Sequence, residues 1–587
     1  MDVITALSRE TNRDFPGLSA EEKYLQSQSV ASHSLDLSRL PALLTALLFV
    51  MGSLTAACSP GQTDRGGPSS DTQATSGEEK PAYGGVFVNH PAFSDMPSMD
   101  PHRENTFNVM RPLSSVWDNI VRSSPEDRDK IVPDLAEKWD ISSDGKRITF
   151  HIRKGVKFHG GEDLTAADVM FTLDRLRGLI KTGSGVLAAS PRKDLLRSIE
   201  KIDTPDAFTV VLSLKNPQAS LFEVLANHLN PVYSKTWIEA GHDPTKEVNG
   251  TGPFKLKLYI RGTSTEVVKN ENYWNKGLPY LDGNINYIIP DAGTAIAGLR
   301  TGQIMYFPLT AEQEQSMRSL IDKEEVPLRL IKTPAGSGGA GLFMNTTKKP
   351  FSDVRVRQAV NLAVDRNDFV KLTGREGTET RGWLIPGSFW ALPPDEFTKL
   401  PGHKKDKDAE RAEAKKLLAE AGYPNGFTVK GMTRTEQTYI DAAIRWTDQL
   451  SKVGITVTIE PVDLSIAYDR FAKFDYELGP FGAGAGTTPD PDTFYGQFHL
   501  CGSARNYSGW CDPKFEDLFN RQQAALDPEV RRKIVWEIEK YVIDQAPVLS
   551  GGTSSPSVYA VNTKVRGWIP QYSEYNHSRL DTVWLAK

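Results

Sequence analysis

The chain has 587 residues, of which 24% are charged and 39% hydrophobic, and a formal net charge of −5. That length supports more than one domain with sizeable buried cores, and the composition is that of a folded protein rather than a membrane-embedded or disordered one. Charge this close to neutral, without a Lys/Arg run, argues against nucleic acid as a partner.

The long apolar run Leu40–Leu54 is interrupted by Pro41, Thr45, Gly52 and Ser53. It is short for a spanning helix and predicts the hydrophobic part of a signal peptide, with residues 1–57 as the signal region. Thr55-Ala-Ala-Cys58 resembles a bacterial lipobox, although Thr55 stands where Leu is commonest. Diacylation of Cys58 is the expectation. The first 39 residues carry Asp2, Glu10, Asp14, Glu21, Glu22 and Asp36, which is acidic for a signal sequence and suggests a translation start further in. Peptides from Asp2–Arg39 in the unprocessed precursor would exclude such a start. Residues 58–81 are small and polar and form a tether, spanning roughly 25 Å root-mean-square as a flexible chain.

Gly84–Val88 predicts a first strand, followed by a loop with Phe93, Asp95 and Asp100-Pro101-His102. In Trp139–Phe158 apolar residues alternate on both sides of Asp144-Gly145, the pattern of a β-hairpin with a tight turn. Thr165 then caps a helix over 166–177, and Asp168 three residues on completes a capping-box-like start. Gly336-Ser-Gly338-Gly-Ala-Gly341 satisfies G-x-G-x-x-G, but strand-like Leu342–Asn345 follows instead of a helix, so no dinucleotide site is predicted. Residues 351–366 read as a half-buried helix capped by Ser352 or Asp353. Helices follow over 408–421, 439–453 and 528–545, with an alternating strand at Thr456–Glu460.

Of the three cysteines, Cys501 and Cys511 flank the Gly/Ser/Asn-rich loop CGSARNYSGWC and read as a disulfide rather than as metal ligands. No H-E-x-x-H, no G-x-S-x-G and no Cys/His metal spacing is present, and the ten histidines are scattered. The expectation is no catalytic role, no metal and no cofactor. A carboxylate pair that meets only in space stays open.

Ala136-Glu-Lys-Trp139, Ser143-Asp-Gly145, Arg153-Lys-Gly-Val-Lys-Phe-His159 and Leu164-Thr-Ala-Ala-Asp-Val169 resemble the signature of the extracytoplasmic solute-binding proteins of the peptide and nickel ABC-importer family. Gly250-Thr-Gly-Pro-Phe254, Lys269–Trp274, Gly277–Asp282 and Phe351–Arg366 match in order and spacing. The resemblance covers about Pro81–Lys587. It implies an α/β, two-lobed periplasmic-binding-protein fold of type II, cluster C, with an inserted extra subdomain at about 117–235. Lobe I would span 82–340, lobe II 341–553, and residues 554–587 would return to lobe I, with the glycines near 336–341 as a hinge.

The implied function is capture of an oligopeptide or related extended solute between the lobes, for an ABC permease and ATPase. A non-peptide solute (oligosaccharide, sugar conjugate or metal chelate) and a sensor role stay open. The implied protein is extracytoplasmic, lipid-anchored and monomeric.

Implied ligand contacts are Phe93 and Asp95 in the first loop, Trp383, Phe389 and Trp390 as aromatic wall, and Gly486, Thr487, Asp490 and Asp492 in the stretch PFGAGAGTTPDPDTF. Thr487 falls where peptide-binding members carry an Asp for the ligand's amine, and a hydroxyl brings no charge. Asp490 and Asp492 equally suit a Pro-containing turn, and the aromatics equally suit a core.

Overall fold

The chain divides between Gly77 and Glu78. The computed structural model describes residues 79–92, 95–104, 107–124, 130–182, 185–186, 190–335, 340–435, 437–482, 490–550, 553–569 and 579–587, all in the second unit.

Lobe I holds a four-stranded sheet in the order Val86–Ala92, Gly283–Ile288, Ser264–Lys269, Phe254–Ile260. Its first strand begins two residues later than expected, because Gly84 and Gly85 have φ of 104° and 86° and precede the ladder. Met305 donates to the Val88 carbonyl at 2.7 Å, joining this sheet to a three-stranded one in which Pro556–Asn562 lies between Tyr306–Leu309 and Leu328–Ala335. Successive strand residues point to opposite faces. Phe87 therefore joins a core with Val109, Met110 and Phe254, while Val88 packs against Leu299 and Phe307 on the other face.

A separate four-stranded antiparallel sheet contains the predicted hairpin, Ala136–Ile141 and Arg147–Ile152, beside Thr209–Leu214 and Ile199–Asp206. Gly145 takes φ 67° at the turn, a left-handed conformation that a side chain disfavours. Ile148, Phe150 and Ile152 are almost fully buried, each stabilising by about 1.5–3 kcal/mol. The helix Ala166–Arg177 covers this face, and its capping box forms as the sequence predicts, with Thr165 N donating to Asp168 at 2.8 Å.

Lobe II is a helix–sheet–helix sandwich. Its sheet runs Ile455–Val462, Phe427–Arg434, Leu478–Gly482, Ala340–Met344, Val548–Leu549, the first three parallel and Ala340–Met344 antiparallel to its neighbours. Leu342 and Met344 pack with helices Val354–Ala363, Lys407–Glu420 and Gln437–Ser451. Phe343 faces the opposite core of Pro491–Phe498, Pro513–Ala524 and Pro528–Gln545. Asp353, of the two expected candidates, caps its helix by accepting from Arg355 N. The chain passes from lobe I to lobe II between 335 and 340, and back between 550 and 553.

The returning segment is locked by Arg579, which is 7% exposed. It donates to Asp118 at 2.6 Å, Asp134 at 3.1 Å, Asp581 at 3.2 Å and the Tyr273 hydroxyl at 2.7 Å. Burial, with the Asp134 charge, raises Asp118 to about 6 although Arg579 pulls the other way.

Candidate functional site

In lobe II the strands Phe427–Arg434, Ile455–Val462 and Leu478–Gly482 end at the edge where both crossings occur. Gly482 pairs with Ala340, the first described residue after the outward crossing, and Leu342 pairs with Leu549 just before the return. The carboxyl ends of parallel strands beside a topological break are where open α/β sheets bind ligands. Half-buried Arg434 ends its strand there with its guanidinium 4.2 Å over Tyr439. Arg381 lies close by: Ser550 Oγ donates to its carbonyl at 3.2 Å, and its guanidinium sits 5.7 Å over Phe494.

Asp490 and Asp492 are 2% and 0% exposed. Asp490 caps Pro491–Phe498 by accepting from Asp492 N at 2.9 Å, with Pro491 in the first helical position, where its missing N–H is harmless. Arg531 donates to both Asp490 oxygens, at 2.6 and 2.8 Å, and to Asp492 at 3.3 Å. Asp492 also accepts from Gln523 at 2.8 Å, from Gln522 and from the Ser220 hydroxyl. All four carboxylate oxygens thus have protein donors. Burial raises Asp492, reinforced by Asp490 and opposed by Arg531; the same aspartates hold Arg531 firmly protonated against its own desolvation.

Trp390 lies under this cluster, 4.6 Å from the Arg531 guanidinium, and Phe389 is 39% exposed with Arg532 stacked 4.7 Å over it. Trp536 donates to the Trp390 and Ala391 carbonyls, both at 3.0 Å. Trp383, expected in the aromatic wall, is instead a core residue, 2% exposed, whose backbone N–H donates to Glu539 at 2.9 Å.

In lobe I, Asp95 accepts from the Tyr259 hydroxyl at 2.9 Å and from Gly262 N, fixing the first loop to the hairpin 254–269. Asp100 is fully buried and accepts from both Arg175 Nη atoms and the Tyr233 hydroxyl. Burial works against its charge, but Arg175 prevails and its carboxyl lies below the usual range.

Cys501 and Cys511 are joined as a disulfide, their Cα atoms 4.8 Å apart. Phe93, Gly486, Thr487, Cys58, the signal region and glycines 336, 338 and 339 lie outside the described residues. Among the described residues no three His, Cys, Asp or Glu side chains are placed to hold a metal.

Arg531 was not singled out from the sequence, yet its signal is there. It shares a helical stripe with Ile534, Val535, Ile538 and Val542, and an arginine on a buried stripe requires a buried carboxylate partner. Arg434 carries no such signal, because its significance comes from the strand end it occupies.

Residues 130–506 match the model of the bacterial extracellular solute-binding proteins, family 5, middle region. The chain is 29% identical over 446 residues to the dipeptide-binding protein of Escherichia coli K12, covering 72% of this chain and 80% of that one. It is 31% identical over 454 residues to heme-binding protein A of Haemophilus influenzae, with 71% and 78% covered. Among solved structures, the ABC transporter-associated periplasmic binding protein DppA of Helicobacter pylori, in complex with the peptide STSA, superposes with a TM-score of 0.74 at 26% identity, covering 86% of this chain and 99% of that one. The two-lobed α/β fold, the strand-end edge at the crossings and the family match agree, and the chain belongs to the family 5 extracellular solute-binding proteins of ABC importers.

Proposed function

We propose that this protein captures an oligopeptide or related extended solute between its lobes and delivers it to an ABC permease and ATPase. The observation that carries this is the paired crossing at the carboxyl edge of the lobe II sheet, with Arg434 at a strand end and the stretch leading into Asp490 leaving Gly482 at the same edge. A half-buried guanidinium there suits a carboxylate of the solute, since such pairs bind in a fixed bidentate geometry. Phe93, Gly486 and Thr487 supply the remaining contacts, with Phe389 and Trp390 as outer wall. Asp95, Asp490 and Asp492 act by holding the surrounding loops. Solute binding favours the closed arrangement because contacts from both lobes are then made together.

In this reading 82–340 is lobe I with 117–235 as its inserted subdomain, 341–553 is lobe II, and 554–587 completes lobe I. The protein is a monomer without catalytic activity, held at the outer face of a membrane by lipidated Cys58 and the tether 58–81, with two acyl chains giving stable anchoring. A non-peptide, anionic solute is the second reading, favoured by Thr487 standing where an amine-binding carboxylate is expected. Losing that charge weakens amine recognition by about tenfold, since a charged hydrogen bond adds about 1–2 kcal/mol over a neutral one.

Native mass spectrometry of the full chain, purified without denaturation, with release and sequencing of what is bound, tests both. A ladder of short peptides supports the first reading; a single non-peptide mass refutes it and establishes the second.

A further inference from the structure

Away from the two chain crossings, and from Arg375 beside them, which donates to the Pro556 and Leu309 carbonyls, the described residues of the lobes also meet elsewhere. The segment 193–223, continuous with the hairpin sheet, lies against the helices Pro491–Phe498 and Pro513–Ala524. Ser220 donates its hydroxyl to Asp492, Ala219 N donates to the Gln523 carbonyl at 3.1 Å, and Arg197 donates to Asn520 at 2.9 Å. Leu526 packs under the Gly145 turn, where an added Cβ would come within 2.6 Å of it. The side-chain hydrogen bonds among these contacts join residues 272 and 323 positions apart, and their polarity is the character of a surface that parts and reforms rather than of a permanent core.

At its centre the charges are unbalanced. Glu223, three residues beyond Ser220, lies within electrostatic reach of Asp490, Asp492 and Arg531, but the guanidinium is engaged by the two aspartates and forms no ion pair with Glu223. Its Oε2 is buried without a hydrogen-bond partner. We propose that this face is a clasp that shuts and parts with the lobes, and that Glu223 makes its closure depend on a proton.

Parting returns Glu223 to water, where it is an ordinary carboxylate; shutting brings it near two aspartates and buries its Oε2. Burial first, then Asp490, raises it from 4.5 to about 8. The sign follows from the raised value: closure takes up a proton, is fully favoured at low pH, and loses that favour as pH rises through the value in the shut form. Between about pH 6.5 and about pH 9.5 the shut-to-parted ratio falls by about 30-fold. The inference rests on the two-lobed fold and is independent of which solute is bound.

The test is double electron–electron resonance on the full chain without added solute, spin-labelled at Lys138→Cys and Lys533→Cys, both exposed positions, with Cys58→Ser to leave only those thiols. The expected result is a shift of wild-type toward longer distances at the alkaline pH, absent in Glu223→Gln, which lacks the charge. Ser220→Ala, which removes one clasp contact, lengthens the distance already at about pH 6.5. A wild-type distribution that does not change with pH, or Glu223→Gln shifting as wild-type does, overturns proton control. No change in Ser220→Ala overturns the clasp itself.

Discussion

Replacing Arg579 by Met removes the cation that ties the returning segment to lobe I. The side chain keeps its volume, so the loss is electrostatic. Asp118 retains donors in Trp274 at 2.7 Å and Thr251 at 3.0 Å, and Asp134 retains Asn119 N at 3.0 Å. Asp581 retains Arg122 at 3.3 Å. What remains is two aspartates, both 0% exposed, without their counter-ion. Breaking a buried pair by removing one partner costs about 3–5 kcal/mol, and urea unfolding followed by tryptophan fluorescence, to which Trp274 contributes, reads that cost. Asp118 already sits at about 6 with Arg579 present, above its value in the unfolded chain, so the folded form binds a proton as pH falls and is favoured there. Without Arg579 the value rises further and the deficit shrinks on acidification. Arg579→Met is therefore expected to be most damaging at alkaline pH, and adding Asp118→Asn should restore about 1–3 kcal/mol. A deficit below about 0.5 kcal/mol, or one equal at mildly acid and alkaline pH, refutes the charged knot.

Three further outcomes are expected. Gly252→Ala places a methyl group 2.5–2.7 Å from backbone atoms of Ser115, Val116 and Trp117, contacts no rotamer can relieve, and the variant should lose more than about 3 kcal/mol or fail to accumulate as folded protein. A near-wild-type urea midpoint would contradict the close approach. Burial holds His102 and His499 down to about 3 and His159 and His228 to about 4, below the unfolded value. Their contribution is complete above that value and is lost as pH falls below it, at about 1.4 kcal/mol per pH unit for each. His499→Phe, in an aromatic pocket of Trp383, Tyr495, Trp510 and Phe515, should flatten the acid limb of stability against pH; an unchanged slope would count against its burial in the neutral form. Reduction of Cys501–Cys511 should lower stability by about 2–3 kcal/mol from the entropy of the released loop, and thiol alkylation before reduction should add no mass at these positions.

Much of the secondary structure was legible because local chemistry decided it. The hairpin 136–152 announces itself by alternation around Asp144-Gly145, and Pro528–Gln545, capped by Asp527, has the bounds the sequence predicts. Helix ends slip by one to three residues elsewhere: Lys407–Glu420 starts one residue early because Asp406 is the cap, and the helix expected over 351–366 runs only Val354–Ala363, between its Asp353 cap and extended Val364. The charge clusters were not legible, since Arg531 meets Asp490 across 41 positions and Arg579 meets Asp118 across 461; no local pattern specifies pairs that only the fold brings together. For Asp490 and Asp492 the residue types and the Pro-containing turn were readable, while their engagement by Arg531 depends on how two helices pack. Arg434 shows the same limit, as its place at the crossing edge is a property of strand order.

The position of Pro556–Asn562 between two strands that precede it by more than two hundred residues bears on how the chain is made. Lobe II is drawn from one continuous stretch and can assemble as soon as that stretch exists. The three-stranded sheet of lobe I lacks its middle member, and the Arg579 knot its cation, until almost all of the chain has been synthesised. During vectorial synthesis lobe I thus stays incomplete until this late segment arrives, so the two lobes are completed at different times.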